Sequence, residues 1–300
     1  MDRIKLTEDL SFSKIVHGLW RLSEWNMSKE QILRFIEECL ELGITTFDHA
    51  DIYGNYTCEE LFGEALALKP SLRGQMEIVT KCGIKLLSDK YPEHEVKYYD
   101  TSKDHINKSV ENSLRKLQTD YIDVLLIHRP DVYMNPEEVA ETFIQLKDEG
   151  KVRNFGVSNF TPSQFNMLSS YLPFPLVTNQ VEISVGHIDT FLDGTIEQCL
   201  EKRVAPMAWS PLAGGNIFNG IDEKSTRILK ALKEVAQEIG VTELDQLMFA
   251  WLLNHPARII PIAGSGKIER IKSAAHAVNI TLTRQQWFKI WIASLGKEVA

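Results

Sequence analysis

An unbroken alternation of eight strand-like and helix-like segments runs through the 300 residues, and it leaves few folds open. Strand-like runs lie at 12–20, around Asp48, and at 77–83, 121–128, 152–159, 177–182, 205–210 and 258–263. Between them, apolar residues recur at helical spacing over 28–42, 57–68, 102–118, 136–149, from Pro162, over 195–203, over the pair 225–240 and 242–254, and from Ile268. A last helical run, 283–295, ends the pattern, with Ser28 and Gly43 as start and stop signals of the first helix. The run 121–128 is apolar almost throughout, as a strand covered on both faces should be. No Pro/Ser/Gly linker interrupts the series, so the expectation is one domain over 1–300, an α/β (β/α)8 TIM barrel. A doubly wound open sheet is the alternative, and it is disfavoured because no GxGxxG follows the first strand.

Composition narrows the function classes. A hydrophobic content of 44% supplies ample core. The formal charge of −8 and the lack of a long basic run argue against nucleic acid or an anionic membrane as partner. No apolar run reaches membrane-spanning length, and the four cysteines form no CxxC pair. The expectation is a cytoplasmic protein with buried thiols.

Polar residues at the carboxyl ends of parallel strands read as chemistry rather than packing. Here strands two, three and four end in Asp48, Lys81 and His128, and Tyr53 lies just beyond strand two. Consecutive barrel strands are neighbours, so the four side chains should converge on one rim. A free phenol, with a pKa of about 10, is a poor acid at neutral pH, and a nearby ammonium should lower that value. Asp48 would hold Lys81 charged, His128 would hydrogen-bond a carbonyl oxygen, and Tyr53 would deliver the proton. Each residue alone has a bland reading as a loop cap, a solvated charge or a structural histidine. Joint placement favours catalysis. His49 and Asp51 should point to other sides of the strand, and with no third ligand they define no metal site.

The chain resembles the aldo/keto reductase family through FDHADIYG, VTKCG, LLIHRPD, GVSNF, NQVE and WSPLAGG, spread over essentially its whole length. The resemblance implies a nicotinamide-dependent enzyme with the tetrad Asp48, Tyr53, Lys81 and His128. It also implies NADPH, with NADH as the alternative, bound across the barrel mouth. Ser158, Asn159 and Gln180 would then hold the carboxamide, and Trp209 would stack on the nicotinamide where the family commonly has Tyr. Ser210, Pro211, Leu212 and Gly214 would border the pyrophosphate, and Trp20 the ribose or pocket. Ser265, Lys267 and Arg270 would meet the terminal phosphate, although Gly264 stands where many relatives carry a basic residue.

The implied partner is a small carbonyl substrate, and the implied assembly a monomer. Loops 84–100, 131–135 and 213–224 would set substrate choice, and the short stretch after His128 suggests an open pocket. Two rival readings stay on the table. One is a lyase using Lys81 as a Schiff-base amine, and the other is a cofactor-binding redox sensor or partner protein with little turnover.

Overall fold

The structure is a computed structural model and describes residues 2–300. Eight parallel strands close into a barrel: β1 (Val16–Gly18), β2 (Thr46–Asp48), β3 (Glu77–Cys82), β4 (Ile122–Ile127), β5 (Val152–Ser158), β6 (Asn179–Glu182), β7 (Met207–Trp209) and β8 (Ile260–Ala263). Each pairs with its neighbours in sequence, and β8 pairs with β1 through Ile262↔Val16. The (β/α)8 architecture expected from the alternation is therefore the one observed.

Helices cover the outside for reasons visible in the chain. In α1 (Lys29–Glu41) a reciprocal Ser28–Gln31 capping box fixes the start, and Ile32, Phe35, Ile36 and Cys39 bury one face against the barrel. The next helix, α2 (Cys58–Leu66), packs on α3 (Lys103–Leu117) through Gly63. A Cβ there would come within 1.9 Å of the Lys116 carbonyl oxygen, so only glycine allows the approach.

Two-residue periodicity sorts every strand into lumen and helix-facing sides. Val16, Val79, Val124, Leu126, Met207, Ile260 and Ile262 share the lumen cluster. Ile78, Leu125, Phe155 and Ala208 pack outward with the helices. Phe12, fully buried, joins the lumen cluster from a hairpin formed by Arg3–Lys5 and Ser11–Ser13. That hairpin is tied to the strands' amino ends by the 2.6 Å Arg3–Glu77 ion pair. The lower lumen is thus filled largely by apolar side chains, with Thr46 bonded to Glu77 at the strands' amino ends.

Two expectations are corrected. The first predicted strand, 12–20, is divided between the hairpin and β1, because the Ser13 hydroxyl donates to the Ile15 carbonyl and accepts from the Thr45 and Thr46 amides. The stretch 84–100, read as a loop, contains an antiparallel pair with Ile84 opposite Tyr99. Its Tyr91 and His94 rings stack at 5.2 Å, so aromatic contacts order a segment whose polarity suggested none. Strand and helix ends elsewhere lie within a few residues of expectation.

His17 and His49 face outward from β1 and from just past β2, and no ring nitrogen of either has a hydrogen-bond partner. His17 sits among Trp25, Phe35 and Phe47, and burial pushes its imidazole down to about 4. The folded state therefore binds fewer protons than the unfolded chain below the ordinary histidine value, and stability must fall as pH falls through that window. Between about pH 6.5 and pH 5 this one group should cost roughly 2 kcal/mol. Urea unfolding of His17→Phe should show a loss smaller by about that amount, and a variant with the wild-type slope would contradict the assignment.

Candidate active site

Periodicity carries the lumen pattern upward into polar residues. Asp48 stands two after Thr46, Lys81 two after Val79, His128 two after Leu126, and Trp209 two after Met207, all on the inward side of the rim. Tyr53 arrives from the loop after β2. Gly54 (φ 56°) and Asn55 (φ 52°) take left-handed backbone immediately beyond it, turning the chain into α2.

The centre is the Lys81 side chain, which is fully buried. Its Nζ donates to Asp48 Oδ2 at 2.8 Å, to the His49 carbonyl at 2.7 Å and to Tyr53 Oη at 2.9 Å. An ammonium has three N–H bonds and no acceptor, and all three are used. Because Lys81 donates to the Tyr53 oxygen, the phenol's own proton must point elsewhere. His128 lies beside it, its ring meeting Tyr53 edge-on at 5.8 Å between centroids.

Electrostatics assign the protons. Burial works to lower the Lys81 pKa, but Asp48 and Tyr53 outweigh it and leave the net shift upward, so the ammonium stays charged. His128 is held well below the ordinary histidine range by burial and by the Lys81 and Arg129 charges, so its imidazole is neutral. Tyr53 corrects an expectation. Burial raises its pKa more than Lys81 lowers it, with Asp48 adding to the rise, and the net direction is up. The phenol therefore holds its proton firmly at neutral pH.

A second polar group lies on the adjoining rim. The Trp209 indole donates to Asn159 Oδ1 at 3.0 Å, and Asn159 Nδ2 donates to Ser158 Oγ at 2.8 Å, which fixes how the amide faces. Asn159 (φ 60°) and Ser210 (φ 51°) both hold left-handed backbone just past β5 and β7, an energetically costly conformation that clusters at working sites. Gln180 is buried and donates to Asp48 Oδ1 at 2.8 Å. Pro211 is buried, Leu212 half-buried and Gly214 exposed along the turn after β7, while Trp20 stands 65% exposed on the rim. Ser265 Oγ accepts the Lys267 amide, and Lys267 and Arg270 are exposed at the start of the helix Ile268–His276.

Two arginines escaped the reading of the sequence. Arg21 Nη2 donates to the Gly264 carbonyl at 3.2 Å, so a cation reaches the segment whose own basic residue is missing. Arg129 stands 5.7 Å over the Trp209 ring. Neither has a local signal, since Arg21 comes from the other end of the chain and Arg129 reads as a strand terminator. His49 and Asp51 do not join the centre. His49 packs on Phe62, and Asp51 accepts from Ser109 on α3, its carboxyl pushed up to about 7 by burial and by Glu59.

Removing Lys81 would leave the Asp48 charge buried with one hydrogen bond. Lys81→Met should therefore destabilise the chain by about 3–5 kcal/mol in urea unfolding, and adding Asp48→Asn should restore part of that loss. A double variant no more stable than the single one would contradict the pairing.

Residues 14–293 match the model of the Aldo/keto reductase family. The chain is 58% identical over 299 residues to the uncharacterized oxidoreductase YcsN of Bacillus subtilis, covering 100% of both chains. It is 46% identical over 301 residues to a 6-dehydroglucose reductase of Agrobacterium fabrum, again covering 100% of both. A solved aldo/keto reductase from Klebsiella pneumoniae, in complex with NADP and acetate, superposes with a TM-score of 0.76 at 27% identity, over 94% of this chain and 92% of that one. By fold, by motif and by these matches, the chain belongs to the aldo/keto reductase family.

Proposed function

We propose that the chain is an NADPH-dependent reductase of small aldehydes or ketones in which Tyr53 is the general acid. The observation that carries this is the Lys81 ammonium donating to Tyr53 Oη at 2.9 Å with its other two protons already taken. The phenol O–H is then left to face the site beside a neutral His128, whose ring can hydrogen-bond a carbonyl oxygen. As negative charge grows on that oxygen, Tyr53 gives up its proton, and the Lys81 charge stabilises the phenolate left behind. The upward shift of the resting phenol suits this role, because the proton leaves only when a strong base forms next to it.

The rim residues fit a nicotinamide dinucleotide. Asn159, with its amide orientation fixed, and the Ser158 hydroxyl suit a carboxamide, and the half-buried Trp209 indole offers a stacking face. Arg21, Ser265, Lys267 and Arg270, with the amino end of the helix Ile268–His276, suit a phosphate. When bound, the reduced nicotinamide supplies the hydride that the carbonyl carbon accepts. A Schiff-base lyase is not supported, because a fully buried ammonium with three engaged protons has no lone pair to attack a carbonyl. The likeness to the 6-dehydroglucose reductase makes a sugar aldehyde the first substrate to test.

Tyr53→Phe should lower kcat for aldehyde reduction by about 10²–10⁴-fold while NADPH still quenches the tryptophan fluorescence with near wild-type affinity. A variant that keeps near wild-type turnover would overturn the assignment of the acid.

A further inference from the structure

The Gln180 side chain, 2% exposed, donates from Nε2 to Asp48 Oδ1 at 2.8 Å. β6, which carries Gln180, and β2, which carries Asp48, are four strands apart in a closed ring of eight. The bond therefore crosses the lumen from one wall to the opposite one. It sits just above the apolar lumen cluster that includes Val79, Val124 and Met207. Met207 Sδ, at 3.7 Å, is the other group that Nε2 meets.

Asp48 is thereby held on both oxygens, Oδ2 by Lys81 and Oδ1 by Gln180. A carboxylate bonded through one oxygen can rotate about its Cβ–Cγ bond. Bonded through both, its plane is fixed. Lys81 sends its remaining protons to the His49 carbonyl and to Tyr53, so the plane of Asp48 sets where the ammonium aims. We propose that Gln180 is a positioning residue for the proton donor, acting across the barrel through Asp48 and Lys81 on Tyr53. This deepens the reductase reading and rests on it.

Gln180 also belongs to the rim that suits the carboxamide. Its backbone carbonyl accepts from Ser158 Oγ at 2.8 Å and from the Asn159 amide at 2.9 Å. One run of hydrogen bonds leads from the Trp209 indole through Asn159 and Ser158 to the Gln180 backbone carbonyl. A second leads from the Gln180 side chain to Asp48, Lys81 and Tyr53, and the Gln180 residue joins the two covalently.

Two substitutions separate positioning from cofactor holding. Gln180→Leu removes the donor, and kcat at saturating NADPH should fall about tenfold or more at every pH. Gln180→Glu keeps the shape but faces Asp48 with a second carboxyl whose pKa the Asp48 charge raises: protonated, it donates to Asp48 as the amide does, and ionised, it repels Asp48. At about pH 8 this variant should be as slow as Gln180→Leu. On acidification toward about pH 6 the introduced carboxyl regains an O–H for Asp48, and kcat should recover, which Gln180→Leu cannot do. A kcat within about twofold of wild type for Gln180→Leu, with only NADPH affinity lost, would overturn the proposal. Matching pH profiles for the two variants would do the same.

A readout independent of turnover is urea unfolding without NADPH of Asp48→Asn, Gln180→Leu and the double variant. The midpoint shift of the double variant should be smaller than the sum of the single shifts, and strict additivity would overturn the link. A wild-type chain that reduces no carbonyl would instead sink the reductase reading, and the unfolding cycle alone would then decide the Gln180–Asp48 contact.

Discussion

A single ammonium buried inside a barrel is the constraint that the rest of this structure answers to. Isolated in an apolar lumen, the Lys81 charge would cost several kcal/mol and would be shed by loss of a proton. It is kept because Asp48, the His49 carbonyl and Tyr53 each take one of its N–H bonds. Those partners come from the end of β2 and the loop beyond it, one strand away from β3, which carries Lys81. The hairpin inserts Phe12 from below into the apolar cluster that fills the lumen beneath these groups.

The electrostatic layout distributes roles that the residue types alone leave open. Lys81 stays charged because Asp48 and Tyr53 outweigh its burial, and His128 stays neutral because burial and the nearby ammonium both act against its charged form. A charged His128 would add a second cation beside Lys81, and burial together with Lys81 prevents it. Tyr53 is left with a firmly bound proton and a cation already seated on its oxygen. Such a group resists ionisation at rest and is well stabilised once its proton has gone.

Much of this was legible in the chain because barrels are periodic. The eight-fold alternation indicated the architecture, and period-two reading of β2, β3 and β4 placed Asp48, Lys81 and His128 at one rim. What could not be read was any relation with no local signature. The division of the first strand depends on the Ser13 hydroxyl reaching the Thr45 and Thr46 amides. The bond from Gln180 to Asp48 joins residues 132 positions apart through the lumen. Arg21 meets Gly264 across 243 positions. The net direction of the Tyr53 shift has no local signature either: Lys81 lowers it as its motif indicates, but burial, the larger influence, belongs to the assembled barrel.

The claim on which everything turns is the direction of one hydrogen bond, from Lys81 to Tyr53. Neutron diffraction from deuterium-exchanged crystals would show it directly. The account predicts three deuterons on Lys81 Nζ, one aimed at Tyr53 Oη, with the phenol deuteron turned away from the lysine toward the rim. A neutral Lys81 that accepts the Tyr53 deuteron would contradict it.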